Sequence, residues 1–201
     1  PKAACRRTQT AASTAMVASS PAVDEFGCRA TERRTRGAWT STRNTMINND
    51  VLRSVRYMLD FSDALVIDTI QRVDAQYALS VDQVRSYLSR EDEPGHVECP
   101  DAVLVRFLDG LILHLRGPSP NAAARPLAKR ISNNMVLKKL RVAFELQDAD
   151  MHQILEDAGF PVSKPELSAL FRKPEHRNYR PCGDQLLRNF LKGLTLRVRA
   201  Q

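Results

Sequence analysis

A chain of 201 residues with 43% hydrophobic and 26% charged content is long enough to bury a core and too apolar to be disordered throughout. No run approaches the ~18 apolar residues of a membrane span, and the four cysteines, at 5, 28, 99 and 182, lack CxxC spacing, which argues against a zinc ribbon or disulfide framework and fits a reducing compartment. The formal charge of +7 points to an acidic partner, but it is uneven: +5 over 1–45, −5 over 46–118 and +7 over 119–201.

Residues 1–45 hold eight basic and three acidic groups and no large apolar residues at helical spacing. The expectation is a disordered basic tail. Three origins stay open: sequence upstream of a natural start at Met46, a basic arm, or an organelle transit segment containing Arg and Ser and poor in acids. Its Arg33-Arg34-Thr35-Arg36 cluster reads as a solvated charge run.

From Ile47 onward the chain is patterned, and the pattern occurs twice. Asn48-Asn49-Asp50-Val51-Leu52-Arg53-Ser54-Val55-Arg56 matches Asn133-Asn134-Met135-Val136-Leu137-Lys138-Lys139-Leu140-Arg141 at an offset of 85. Asp63-Ala64 matches Asp148-Ala149. From Ser80 the offset is 83, so the first copy has two extra residues near Asp74–Leu79. Over 80–116, ten of 37 positions are identical to their counterparts, among them Cys99/Cys182, Asp101/Asp184, Phe107/Phe190, Gly110/Gly193 and Arg116/Arg199.

Each copy predicts four helices. The first carries Val51, Leu52, Val55, Met58 and Leu59 at helical spacing, and Val136, Leu137, Leu140 and Phe144 in the second copy. The asparagine pairs before them are expected N-caps. The next helix runs from near Ser62 to about Asp74, and from near Gln147 to Ala158, where Gly159 stops it. The third opens on a capping box, Ser80-Val81-Asp82-Gln83 and Ser163-Lys164-Pro165-Glu166. The last begins near Asp101 and Asp184, acids that suit a helix N-terminus. Gly110 and Gly193 fall mid-helix, which implies close contact with a neighbouring helix. No alternating β pattern occurs. The fold class is therefore all-α: two tandem four-helix repeats, 46–117 acidic and 118–201 basic, joined at Gly117-Pro118-Ser119-Pro120-Asn121 and preceded by the tail.

The stretches NNDVLRSVRYMLDFSDA, HVECPDAVLVRFLDGLILHLRG and FRKPEHRNYRPCGDQLLRNFLKGL resemble the YehS-like family of bacterial proteins, a duplicated helical family named as a domain of unknown function. The resemblance covers about residues 46–199. It implies a cytoplasmic bacterial protein and supplies no catalytic residues.

Three candidate sites remain. Helices two and three of each copy form a helix-turn-helix-like pair. In the second copy the third helix and its following loop offer Lys164, Ser168, Arg172, Lys173, His176, Arg177, Tyr179 and Arg180, a surface suited to nucleic-acid phosphates or another anion. The plainer reading is an ordinary pair of packed helices. The first copy carries Asp82, Arg85, Arg90, Glu91, Asp92 and Glu93 there, and would repel DNA. The second candidate is the recurring Cys at the loop-to-helix junction, either a reactive thiol or a small buried residue. The third is metal: His96 and Cys99 have ligand spacing, but Tyr179 replaces the histidine in the second copy, so no metal site is expected. No phosphate loop, HExxH or GxSxG motif is present, so no cofactor and no enzyme are expected. The leading expectation is a non-enzymatic, nucleic-acid-associated protein. The alternative is a protein-interaction or self-association module that uses the opposite charges of the repeats.

Overall fold

The computed structural model describes Met46 and residues 48–118 and 126–200. The expected tail over 1–45 and the linker residues Ser119-Pro120-Asn121 lie outside these. The described residues form eight helices and no strand: α1 Asn48–Leu59, α2 Asp63–Gln71, α3 Val81–Leu88, α4 Asp101–Arg116, α5 Asn133–Ala143, α6 Asp148–Asp157, α7 Lys164–Leu170 and α8 Asp184–Arg199. The first four belong to one copy and the last four to the other.

Local signals set most helix ends. Ser80 and Ser163 cap α3 and α7, and Gln83 and Glu166 reach back to the serine N–H groups at 2.9 and 3.1 Å. Gly159 is left-handed (φ +78°) after α6, as expected. Two non-glycine residues also turn left-handed, Asp60 (φ 53°) and Glu145 (φ 56°). They occupy the same position after α1 and α5. There the Phe61 and Leu146 N–H groups bond to the carbonyls of Arg56 and Arg141, each at 3.0 Å, closing the helix ends.

The asparagine pairs do not cap from outside the helix. Ser132 caps α5 through the Met135 N–H, at 3.3 Å, and the asparagines stand inside the first turns of α1 and α5. Their amides are engaged elsewhere, with the loop between the third and fourth helices.

Within each copy α4 crosses α2 and α8 crosses α6. Glycine makes these crossings possible. A Cβ on Gly110 would stand 1.8 Å from the Thr69 carbonyl oxygen, and one on Gly193 would stand 2.1 Å from that of Ile154. The backbones touch where those side chains would be. Arg56 pairs with Asp63 and Arg141 with Asp148, both at 2.8 Å, fastening the first helix to the second identically in the two copies. The two extra residues of the first copy sit in the α2–α3 connection. There Arg106 lies over the Tyr77 ring at 4.3 Å and pairs with Asp74 at 3.1 Å.

The copies join reciprocally. α1 packs on α8 and α4 packs on α5, as two halves of a twofold dimer would. Arg116 reaches the Val142 carbonyl at 3.4 Å, and its counterpart Arg199 reaches the Tyr57 carbonyl at 3.0 Å. A single apolar core, with Leu52, Phe107, Leu137 and Phe190 fully buried, runs through both copies.

Candidate functional site

The loop after the third helix is built the same way in both copies. In the first, Asn49 is fully buried. Its Nδ2 donates to the carbonyls of Tyr87 (2.9 Å) and Val97 (2.8 Å), and its Oδ1 accepts the Cys99 N–H at 2.8 Å. In the second, Asn134 does the same with Leu170 (2.8 Å), Arg180 (2.9 Å) and the Cys182 N–H (2.8 Å). The neighbouring asparagines, Asn48 and Asn133, donate to Asp101 and Asp184 at 2.8 and 2.6 Å. One amide side chain thus satisfies three backbone groups that no helix ladder reaches. The loop's backbone is held rigidly, so its exposed side chains are presented from a fixed frame.

The two cysteines belong to that frame. Cys99 and Cys182 are 1% and 6% exposed. Burial, with a smaller push from the carboxylates of Asp101 and Asp184, raises both thiols to about 12. They stay protonated at neutral pH, so the small-buried-residue reading holds and the reactive-thiol reading fails.

The basic surface of the second copy lies on this frame. Lys164, Ser168, Lys173, His176, Arg177 and Arg180 are exposed, whereas Arg172 and Tyr179 are half-buried. Lys164, Arg172, Lys173 and Arg177 have no ion-pair partner among the described residues. Arg180 differs. It pairs with Glu166 at 2.5 Å, and its N–H bonds to the Ala169 carbonyl at 3.2 Å. That pairing, with help from Ser163, holds the Glu166 carboxyl down at about 2. Arg180 therefore serves the α7 cap and offers little charge to a partner. His176 Nδ1 accepts the Asn178 N–H at 3.1 Å within the loop. The α7 helix has only seven residues, so it spans about 10 Å and the loop supplies most of the basic surface.

The equivalent loop of the first copy has the opposite sign. Residues 89–98 hold one basic and four acidic side chains, net −3, whereas residues 172–181 hold four basic and one acidic, net +3. The same asparagine clamp thus carries two loops of opposed charge.

One feature has no sequence motif. A cleft of about 490 Å³ opens where α1 meets α8, and Arg53, Arg188 and Lys192 line it. The spacing of Arg188 and Lys192, four apart on one helix face, is the only sequence trace of it.

No helix among the described residues is long and apolar enough to cross a membrane. The family described as "Protein of unknown function (DUF1456)" matches twice, over residues 48–117 and 133–200. The uncharacterised protein YehS of Escherichia coli (strain K12) is 47% identical over 154 residues, which cover 76% of this chain and 96% of that relative. No solved structure matches the chain. With two matches that coincide with the two helical copies, the chain belongs to the DUF1456 family, the one that includes YehS-like proteins.

Proposed function

We propose that this protein is a non-enzymatic binding protein that engages nucleic-acid phosphates through the second repeat. The carrying observation is the set of four cations, Lys164, Arg172, Lys173 and Arg177, that have no ion-pair partner among the described residues and stand on a rigidly clamped loop and its adjoining helix. Three of these cations are exposed and Arg172 is half-buried; such cations on a fixed frame suit a repeating phosphate backbone, because each contact releases a counterion without reordering the loop. Base reading through a helix-turn-helix is a weaker form of the proposal, since α7 is short and Pro165 occupies its first turn. The proposal therefore concerns backbone affinity.

The test is fluorescence anisotropy of the full chain with duplex DNA and single-stranded RNA over a range of salt. The double variant Lys173→Glu/Arg177→Glu is expected to weaken binding and reduce the slope of log affinity against log salt by about 2. Binding that ignores salt, or that survives the double variant unchanged, overturns the proposal.

A second reading is favoured by the opposed loops. The acidic 89–98 loop of one chain and the basic 172–181 loop of another are complementary, and pairing them head to tail assembles chains. Sedimentation at low and high salt distinguishes the two. Salt-sensitive self-association without nucleic-acid binding selects the second reading.

A further inference from the structure

One stripe of α5, made of Asn134, Lys138 and Arg141, faces the segment that ends α7 and opens the basic loop. Asn134, a turn before Lys138, donates to the Leu170 carbonyl at 2.8 Å, and Arg141, a turn after it, lies over the Phe171 ring at 4.8 Å. Lys138 stands between these two contacts, so it issues beside Arg172, where the loop begins. Asn134 is engaged in the clamp, and Arg141 by Asp148 at 2.8 Å and the Leu146 carbonyl at 3.1 Å. Lys138 is exposed and has no ion-pair partner among the described residues.

The first copy shows the same position closed. Lys138 corresponds to Arg53, Met135 to Asp50 and Arg172 to Ser89. Arg53 pairs with Asp50 at 2.5 Å and donates to the Ser89 carbonyl at 2.6 Å, so its guanidinium is bound between helix and loop. In the second copy a methionine stands where that acid was. A lysine, a compact charge on a flexible stem, replaces the planar fork that served both partners. Arg172 and Lys173 add two further cations at the start of the loop. Glu175, the one acid of that loop, pairs with none of the three among the described residues.

We propose that Lys138, Arg172 and Lys173 form a phosphate seat between α5 and the loop, so that a bound nucleic-acid strand continues from the loop onto α5. The seat belongs to the phosphate-binding surface proposed above and rests on that reading, adding to it a residue from a different element. One wall is a helix and the other a loop whose backbone Asn134 ties to that helix, so the spacing of the two is set before a phosphate arrives. Charge-assisted contacts made from such a fixed frame are the strong ones.

Three variants, each lowering the net charge by one, separate this seat from charge in general. Lys138→Ala removes the α5 wall. Met135→Asp/Lys138→Arg installs the closed arrangement of the first copy. Arg90→Ala removes a cation from the equivalent loop of the first copy, where it is exposed and has no ion-pair partner among the described residues. Binding of duplex DNA and single-stranded RNA to the full chain is followed by fluorescence anisotropy over a range of salt. Lys138→Ala and the double variant are each expected to lower the slope of log affinity against log salt by about 1, and Arg90→Ala to leave it unchanged. The ligand-free Tm of Lys138→Ala is expected to equal that of wild type. Binding that weakens in Lys173→Glu/Arg177→Glu but keeps its slope in Lys138→Ala overturns the seat and leaves the loop reading standing. Equal losses of slope in Lys138→Ala and Arg90→Ala also overturn the seat, because net charge alone then sets the response. Absence of binding by wild type overturns both.

Discussion

The two repeats share a skeleton and differ in what they put on it. Shared are the asparagine clamp, the Arg–Asp fastening of the first two helices, the left-handed residue after the first helix, the glycine at the crossing and the arginine that reaches across to the other copy. Each of these pairs a polar group, closes a helix end or allows a close approach, so changing one copy alone undoes a contact that the other copy keeps. Different are the loop charges, −3 against +3, and the finish of the two inter-repeat crossings. The loop charges lie at the surface, where substitution costs little folding free energy, whereas the crossings are partly buried, with Val105 fully so. The comparison separates the part that folds the protein from the part free to acquire a role.

The largest effect is expected at the crossings. Gly110→Ala places a methyl 1.8 Å from a backbone oxygen, and no flexible side chain can yield there. A loss of about 3 kcal/mol or more is expected by urea denaturation, as for severe overpacking. Gly193→Ala is expected to match it, because the clash is again with backbone. A loss under 1 kcal/mol in either would show that the helices part easily.

Next come the clamps, where the copies are expected to diverge. Asn49 is fully buried and Asn134 half-buried. Asn49→Ala leaves the Tyr87 carbonyl and the Cys99 N–H unpaired in buried bonds and is expected to cost about 3 kcal/mol; Asn134→Ala, whose bonds are part-buried or exposed, about 1–2 kcal/mol. Equal losses would mean that the clamp's value does not depend on its burial.

The capping boxes differ in acid. Glu166 is ionisable and its counterpart Gln83 is not. With its carboxyl held at about 2 against an ordinary 4.5, Glu166 contributes stability that is complete above the unfolded-state value and is lost as pH falls from about 4.5 toward 2. Glu166→Gln is expected to remove this part of the acid sensitivity, seen as a flatter profile of stability against pH over that window. An unchanged profile would assign the acid response to other carboxylates.

The smallest effect concerns the left-handed residues. Asp60→Gly relieves a φ of 53° and is expected to stabilise by about 0.5 kcal/mol, the relief of strain being partly offset by the unfolded chain's added freedom. Glu145→Gly shares that gain but gives up the exposed pair of Glu145 with Arg116, at 2.9 Å, so the first copy is expected to gain more.

Helix positions were readable because each helix carries its own signal: apolar residues at helical spacing, capping boxes at Ser80 and Ser163, a glycine stop at Gly159. The close contacts at Gly110 and Gly193 were readable because the duplication repeats a residue that costs helix stability. The asparagine pairs look like caps in the sequence but serve as clamps. Asn before an apolar run is a common cap, and nothing local reveals that the amide is claimed by groups 36 to 50 residues away. The basic surface is legible in its charges, but the withdrawal of Arg180 into a pair with Glu166 depends on how the loop folds back along α7. The cleft was not legible. Its two sides lie on α1 and α8, more than a hundred residues apart.

The sequence by itself determined that the described region is all-helical, duplicated and asymmetric in charge, because periodicity, caps and charge are properties of short segments. Only the tertiary structure decided which cations are drawn into ion pairs, that both thiols are buried and protonated, and that a cleft opens where α1 meets α8. Those outcomes depend on which distant groups reach each other. Pairing, burial and cavity volume are set by the packing of whole helices and leave no trace in any one segment.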